Sequence, residues 1–295
     1  MDNKEIFPYQ RVVILGSTGF LGKAIERVLR KEGIPVHGYG SAELDLRKAE
    51  MLGKLAKEPD KNSALVFASA LTPRKGVTLE NLNGNILMCV NVARYLEHHP
   101  VGLCVYISSD AVYPFSINPV SEESHVEPAS LYALGKYSGE RMLQHVAAMN
   151  AMPLLILRLT ALYGAGDTGK SYGPNQFIHS LMESQTVRLF GGGEEQRDHL
   201  YVEDAARLIR LLIGAKATGT FNLATGRSCS FADIVKLLRE IVPVPFEIIS
   251  SPRRAPITHR HFDTTRLFLH LPEFRFTSVE EGLRAYYRER AAKQR

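Results

Sequence analysis

The sequence predicts an α/β fold: a doubly wound parallel sheet with a smaller C-terminal lobe. Three observations carry that prediction. Val12 to Leu15 is an unbroken apolar run, the pattern of a strand buried on both faces of a parallel sheet. Gly16, Gly19 and Gly22 follow at three-residue spacing, and Leu21, Ile25, Val28 and Leu29 then recur at helical spacing. Further short apolar runs at 64–68, 103–107 and 154–157 alternate with helical segments, as parallel sheets require.

The bulk numbers exclude several classes. At 295 residues the chain is long enough for one large core and an attached lobe. Composition is that of a soluble globular protein, 45% hydrophobic and 23% charged. No apolar run approaches the ~20 residues that span a bilayer. The opening stretch MDNKEIFPYQ lacks a signal-peptide pattern, and Cys89, Cys104 and Cys229 are scattered, so a reduced cytoplasmic protein is expected. The net charge of +5 is modest, and no Lys/Arg patch interleaved with aromatics points to nucleic acid. No repeat or low-complexity linker is present.

In the first unit, a glycine turn lets backbone N–H groups approach an anion, and the helix that follows adds a favourable dipole. Together they suit a pyrophosphate. The spacing is GxxGxxG, one residue longer at its first step than the dinucleotide fingerprint. Gly33 stops the first helix, and Ile34 to Tyr39 form the second strand. An acid at the end of that strand often holds the adenosine ribose. Here the position is Gly40, followed by Ser41, with Glu43 and Asp45 a little further on. With no acid at 40 to repel a 2′-phosphate, and Ser41 able to donate to one, the cofactor choice between NAD and NADP leans to NADP(H). Asp45 suits a ligand role or a helix cap before 47–56. Leu44 and Leu46 flank it as a short strand or turn edge.

The strand 64–68 ends in the small residues Ala68, Ser69 and Ala70, which leave room for a cofactor at a sheet's carboxyl edge. A loop over 72–84 precedes a helix from Asn85 to about His98. The strand 103–107 runs into Ser108, Ser109 and Asp110, and a helix starting near Ser130 carries Tyr132 and Lys136. Four residues apart, these two share a helical face. A free tyrosine titrates near ~10, and a nearby ammonium favours the phenolate. Such a phenol can exchange a proton with a sugar hydroxyl. Ser109, at the end of a strand, is placed to hold the same oxygen.

Beyond the strand 154–157 lie Arg158 and a Gly-rich stretch, 165–175, with the character of a substrate lid. Asn175 opens a helix through Ser184, as an N-cap or as a ligand. Arg197 follows the turn 191–193; its guanidinium fork matches phosphate oxygens. The segment from Tyr201 to Ile213 is helical, and the last sheet strand starts at Gly219. Ser230 caps a helix over 231–241, 244–249 is a small-lobe strand and 279–287 a terminal amphipathic helix. His259 and His261 have no third partner at metal spacing, so no metal is expected.

Four motifs stand in order: Gly16-x-x-Gly19-Phe20-Leu21-Gly22, Ser109-Asp110-Ala111-Val112-Tyr113, Tyr132-x-x-x-Lys136, and RDHLYVEDA from Arg197 to Ala205. Together they resemble the extended short-chain dehydrogenase/reductase family, in its branch of nucleotide-sugar epimerases, dehydratases and reductases, over nearly the whole chain. The resemblance implies Ser109, Tyr132 and Lys136 as the catalytic set. It implies a nicotinamide dinucleotide against Gly16, Thr18, Gly19, Phe20, Leu21 and Gly22, with Ser41, Asp45 and Leu46 toward the adenosine. Ala68, Ser69, Ala70 and Asn85 border that cofactor, along with Tyr132 and Lys136. Toward a nucleoside diphosphate sugar it implies Asp110, Asn175, Arg197 and Arg254. Dehydratases of the branch carry an Asp-Glu pair where this chain has Asp110-Ala111, so dehydration is disfavoured.

The expected function is an NAD(P)-dependent epimerase that transiently oxidises a sugar hydroxyl, at C4. The alternatives are a 4-ketoreductase and a redox-inactive NAD(P)-binding regulator, against which the intact Ser/Tyr/Lys set argues. The expected domains are 1–164 with 196–225 for the dinucleotide and 165–195 with 226–295 for the substrate. Relatives pair the helices at 85–98 and 131–149 in a four-helix bundle, so a homodimer is expected, with no membrane partner.

Overall fold

Strand β1 (Arg11–Leu15) occupies the first apolar run, and Val12 to Leu15 are at most 1% exposed. A strand covered on both faces has no solvent side, which is why its sequence does not alternate. The computed structural model that shows this describes residues 7–55, 59–167, 172–253 and 255–293. Helix α1 (Phe20–Lys31) follows the glycine turn and buries Leu21, Ala24, Ile25 and Leu29. Gly33, at φ +75°, turns the chain out of the helix.

Strands β2 (Val36–Tyr39), β3 (Ser63–Phe67), β4 (Leu103–Ser109), β5 (Leu154–Leu159) and β9 (Gly219–Leu223) complete a six-stranded sheet in the order β2-β1-β3-β4-β5-β9. The pairs from β2 through β5 are all parallel. From β1 the chain steps outward to β2, returns to β3, and proceeds the other way. The strand order therefore reverses between β1 and β3, the switch point where open α/β sheets bind ligands beyond their carboxyl ends. Helices α2 (Leu79–His98) and α3 (Leu131–Met149) pack against each other. Leu65, Phe67, Val92, Leu96, Leu143 and Val146 are among the residues that fill the core beneath them.

Local details depart from the sequence reading. Helix α2 starts at Leu79, not Asn85, because the Thr78 hydroxyl accepts from Asn81 N–H at 3.3 Å and caps it there. The 47–56 helix is a 3₁₀ segment, Ala49–Leu55, and Leu44 and Leu46 belong to a turn, with both side chains buried. The late strand β11 is Glu247–Ser251, further along than 244–249.

Two compact units emerge from the contacts: Met1–Pro114 with Val126–Leu159 and Ala205–Phe221, and Phe115–His125 with Thr160–Asp204 and Asn222–Arg295. The second unit takes 115–125, 160–164, 196–204 and 222–225, which the sequence boundary gave to the dinucleotide part. The reason is strand pairing. Strand β8 (Gln196–Tyr201) pairs with β6 (Ala161–Tyr163) and β10 (Ser228–Ser230) in a separate sheet. Segment 115–125 joins them through the Val120–Phe262 bridge and a bond from His261 N–H to Asn118 Oδ1 at 2.7 Å. Helices α4 (Pro174–Ser184), α6 (Phe231–Ile241) and α8 (Val279–Ala292), with β7 (Thr186–Phe190), enclose its core around Phe177, Phe231 and Leu283.

Asp198 on β8 gives the second unit a pH-dependent term. Its carboxylate is fully buried and accepts from Thr225 N–H at 3.0 Å and Thr225 Oγ1 at 2.9 Å. Burial pushes its pKa up to about 6, against the opposing pull of those bonds. The folded protein thus holds this proton more tightly than the unfolded chain, where a carboxyl titrates near about 3.9. The stability this group contributes is complete below about pH 4 and is lost as pH rises to about 6. Asp198→Asn removes the term while keeping an acceptor for Thr225 N–H. Relative to wild type it is expected to gain about 1–3 kcal/mol between pH 4 and pH 7. Urea melts at the two pH values check this; a difference that does not grow with pH contradicts it.

Candidate active site

Gly16 leaves β1 at φ +97°, and its N–H donates to Tyr39 O at 2.8 Å. A Cβ on Gly16 would lie 2.8 Å from both the backbone nitrogen and the hydroxyl of Ser69. The glycine turn and the end of β3 therefore meet at the switch point, as Ala68 N–H donating to Leu15 O at 2.9 Å also requires. Gly19 is the N-cap of α1, Phe20 and Leu21 begin the helix, and no acid stands in its first turn. The first N–H groups of a helix lack partners within it. A Cβ on Gly22 would lie 2.1 Å from Gly16 O, so the helix start approaches the strand end closely. This cradle of bare backbone with a positive dipole fits the diphosphate of a dinucleotide.

The adenosine end differs in detail from the sequence reading. A Cβ on Gly40 would lie 2.6 Å from Thr18 Cγ2, so the Thr18 methyl takes the room a side chain at 40 needs. Gly40 N–H donates to the Glu43 carboxylate at 3.2 Å, which brings an acid to this strand end after all. Ser41 is exposed. Asp45 neither caps a helix nor stands free. It grips the Arg47 side chain at 2.9 and 2.8 Å, and that bond holds its carboxyl down to about 2. Leu46 is packed in the core, and its carbonyl accepts from Asn91 at 2.9 Å. Asn85 is a backbone clamp: its amide exchanges two bonds with Leu71, at 2.8 and 3.0 Å.

Strand β4 delivers Ser109 to the sheet edge, where its hydroxyl accepts from Ala111 N–H at 3.2 Å and caps the turn Asp110–Val112. Ser130 caps α3 and so sets the phase of Tyr132 and Lys136. The Tyr132 phenol is held up at about 12 by burial and by the Asp110 carboxylate, while a hydrogen bond with Ser109 pulls it down. The structure thus brings Ser109, Asp110 and Tyr132 together. Lys136 lies one turn further on, 4% exposed, and donates to Ile107 O at 2.6 Å with its ammonium 5.1 Å above the Tyr106 ring. Burial lowers it to about 8, against the pull of Cys89 and Glu140. Burial and the Asp110 carboxylate outweigh the lowering expected from Lys136, whose ammonium donates to Ile107 O on β4.

Within the second unit, Asn175 is 3% exposed; its Oδ1 accepts from Gly164 N–H at 3.1 Å and its Nδ2 donates to Leu162 O at 3.0 Å. Neither Asn175 nor any other side chain caps α4, whose N-cap is Gly173. Arg197 donates to Thr258 O at 2.6 Å and Thr258 Oγ1 at 3.1 Å and lies over the Phe115 ring at 5.2 Å. Arg254 lies outside the described residues. Among the described residues no group of three or more His, Cys, Asp or Glu gathers to hold a metal, and no helix is long and apolar enough to cross a membrane.

Sequence reasoning missed a buried polar cluster that includes Glu140, one turn beyond Lys136 on α3. Ser108 and Arg158 donate to Glu140, Arg158 also donates to the Tyr113 hydroxyl, and all four are buried. One signal was available: Glu140 extends the Tyr132, Lys136 spacing by another four residues.

Comparison with known proteins accords with this geometry. The profile of the NAD dependent epimerase/dehydratase family matches residues 12–224. A putative UDP-glucose 4-epimerase of Methanocaldococcus jannaschii is 23% identical over 273 residues, covering 85% of this chain and 89% of that one. The structure of UDP-glucose 4-epimerase from Thermotoga maritima, with UDP-glucose, superposes at a TM-score of 0.84 with 22% identity, over 97% of this chain and 100% of that one. RMD from Pseudomonas aeruginosa, complexed with NADPH, gives 0.84 with 21% identity over 96% and 99%.

Proposed function

The chain belongs to the NAD dependent epimerase/dehydratase family, and from that premise we propose that it epimerises a nucleoside diphosphate sugar at C4 by transient oxidation of the hydroxyl there. The observation that carries this reading is the grouping of Ser109, Tyr132 and Lys136 on β4 and α3, beside the glycine cradle at the switch point. A bound nicotinamide supplies the hydride acceptor and donor. The protein's part is the proton. Tyr132 takes it from the sugar hydroxyl as base and returns it as acid, Ser109 holds the same oxygen, and the Lys136 ammonium favours the phenolate. Asp110 and Arg197, with Asn175 and Arg254, are proposed for the sugar diphosphate. Asn175 would serve by fixing the 162–164 backbone, given its two bonds there. The 4-ketoreductase is the second reading. One observation favours it: burial and Asp110 keep Tyr132 protonated, the form needed to reduce a ketone.

For the cofactor, the Glu43 carboxylate on Gly40 N–H and the capture of Arg47 by Asp45 favour NAD(H). They place negative charge, and engage an arginine, where a 2′-phosphate would need a cation. That outweighs the lean to NADP(H) drawn from the missing acid. Homodimerisation is part of the proposal, supported by the exposed Leu87 on α2 and Leu134 on α3.

An epimerase conserves its hydride, whereas a reductase consumes one reduced cofactor per product. Incubation with UDP-, GDP- and dTDP-sugars and substoichiometric NAD⁺ or NADP⁺ is therefore expected to interconvert one pair, faster with NAD⁺, with no accumulating change at the nicotinamide band. Conversion only of a 4-keto sugar with stoichiometric NAD(P)H would establish the reductase instead.

A further inference from the structure

Beneath the Ser109, Tyr132 and Lys136 face lies a buried ionic cluster that the proton transfer above does not use. Glu140 follows Lys136 by four residues, as Lys136 follows Tyr132, so the three share one face of α3. The Glu140 carboxylate is fully buried. It accepts from Arg158 Nε at 2.9 Å, from the second Arg158 nitrogen at 2.6 Å, and from Ser108 Oγ at 2.5 Å. Arg158 donates its remaining terminal nitrogen to the Tyr113 hydroxyl at 2.8 Å, with the guanidinium 4.8 Å over that ring. Ser108 and Tyr113 bracket the turn that begins with Ser109 and Asp110. Both ends of that turn are thereby tied to α3 through one carboxylate.

A buried ion pair is weak as a source of stability, since a well-packed apolar replacement is often as stable. Placement and charge are what this one supplies. The groups facing Lys136 are the Cys89 thiol from α2, the Tyr106 ring from β4 and Glu140 on its own helix. Burial raises the thiol and the Tyr106 phenol, and Glu140, gripped by two nitrogens of the Arg158 guanidinium, is the carboxylate among these groups. We propose that Glu140 is a positioning residue for the proton-transfer set, tying the Ser109 turn to α3 and holding Lys136 as the ammonium. The proposal rests on the assignment of Ser109, Tyr132 and Lys136 made above.

The test reads Lys136 directly. In the full chain carrying [13C]ε-lysine, NMR titration separates the lysine that titrates near about 8 from the rest, and Lys136→Arg identifies it by its loss. Glu140→Gln is expected to lower that midpoint by about 0.5–1 pH unit, and Glu140→Asp, which keeps the charge, to restore most of the shift. Should Glu140→Gln fail to fold, the double variant Glu140→Gln, Arg158→Gln leaves no unpaired charge in the core. A smaller shift in the same direction is expected from it, because the Arg158 cation leaves together with the Glu140 anion. A merely structural role would leave the midpoint in place. A folded variant of either kind within about 0.2 unit of wild type overturns the proposal. An active Tyr132→Phe enzyme would instead overturn the underlying assignment, and the proposal with it; the two failures appear in different measurements.

Discussion

Tyr132→Phe is expected to cut turnover of the sugar nucleotide by about 10²–10⁴-fold and to leave dinucleotide binding close to wild type. The substitution removes a single oxygen. The ring stays, Ser130 still caps α3, and Lys136 keeps its bond to Ile107 O at 2.6 Å, so the helix has no reason to move. What disappears is the group proposed to accept and return the hydroxyl proton. The loss should fall on kcat, because the phenol acts in the transition state rather than in holding the substrate. The pH dependence should change as well. With Tyr132 held up at about 12 by burial and Asp110, the wild-type rate of the oxidising half should rise with pH as phenolate forms. Asp110→Asn removes one of the two upward pulls, so it should shift that rise to lower pH. Steady-state rates across pH for wild type, Tyr132→Phe and Asp110→Asn check all of this. Wild-type turnover in Tyr132→Phe would refute the assignment.

The parts of the fold that the sequence announces are those with one dominant local cause. Val12 to Leu15 must be covered on both faces, so the run itself declares a central strand. Gly16, Gly19 and Gly22 declare a turn because three bare positions at that spacing serve close backbone approach. The Tyr132 and Lys136 pair is visible because a helix fixes which residues are neighbours. What stays hidden depends on partners remote in sequence. Glu140 looks like a solvated helix glutamate until Arg158, from β5, is seen to bind it with two nitrogens. Asn85 passes for a helix start because Asn suits that place, yet its amide is spent on Leu71 and the cap is Thr78. Gly40 reads as a missing acid, but a Cβ there would crowd the Thr18 side chain, and Glu43 supplies a carboxylate from three residues on. Strand β8 adjoins the helix α5 (Val202–Gly214) in sequence, yet its hydrogen bonds run to β6 and β10.

Gly22→Ala should do the most damage for the least added volume. The new methyl would sit 2.1 Å from Gly16 O and 2.9 Å from Gly16 C and Ser17 Cα. All three are backbone atoms of the turn, with no rotamer to yield, so the helix must back away from the strand end. Overpacking of a core by a methylene costs about 1–3 kcal/mol, and a clash against fixed backbone belongs at or above the top of that range. For a chain of this size each kcal/mol lowers Tm by about 2–4 °C, so a fall of roughly 6–12 °C is expected. Dinucleotide affinity should drop by at least about tenfold, since the first turn of α1 and the Gly16 turn form the proposed cradle for the diphosphate. Gly33→Ala is the matched control. Gly33 sits at φ +75° with nothing within 4 Å of the added carbon, so alanine there meets only the left-handed backbone penalty, about 1–2 kcal/mol. It should melt a few degrees low and bind NADH normally. The two glycines thus separate their two uses, room in one case and backbone conformation in the other. Calorimetric melts and NADH fluorescence titrations read both variants. If Gly22→Ala bound and melted like Gly33→Ala, the close crossing of α1 over the end of β1 would not be what holds the cofactor.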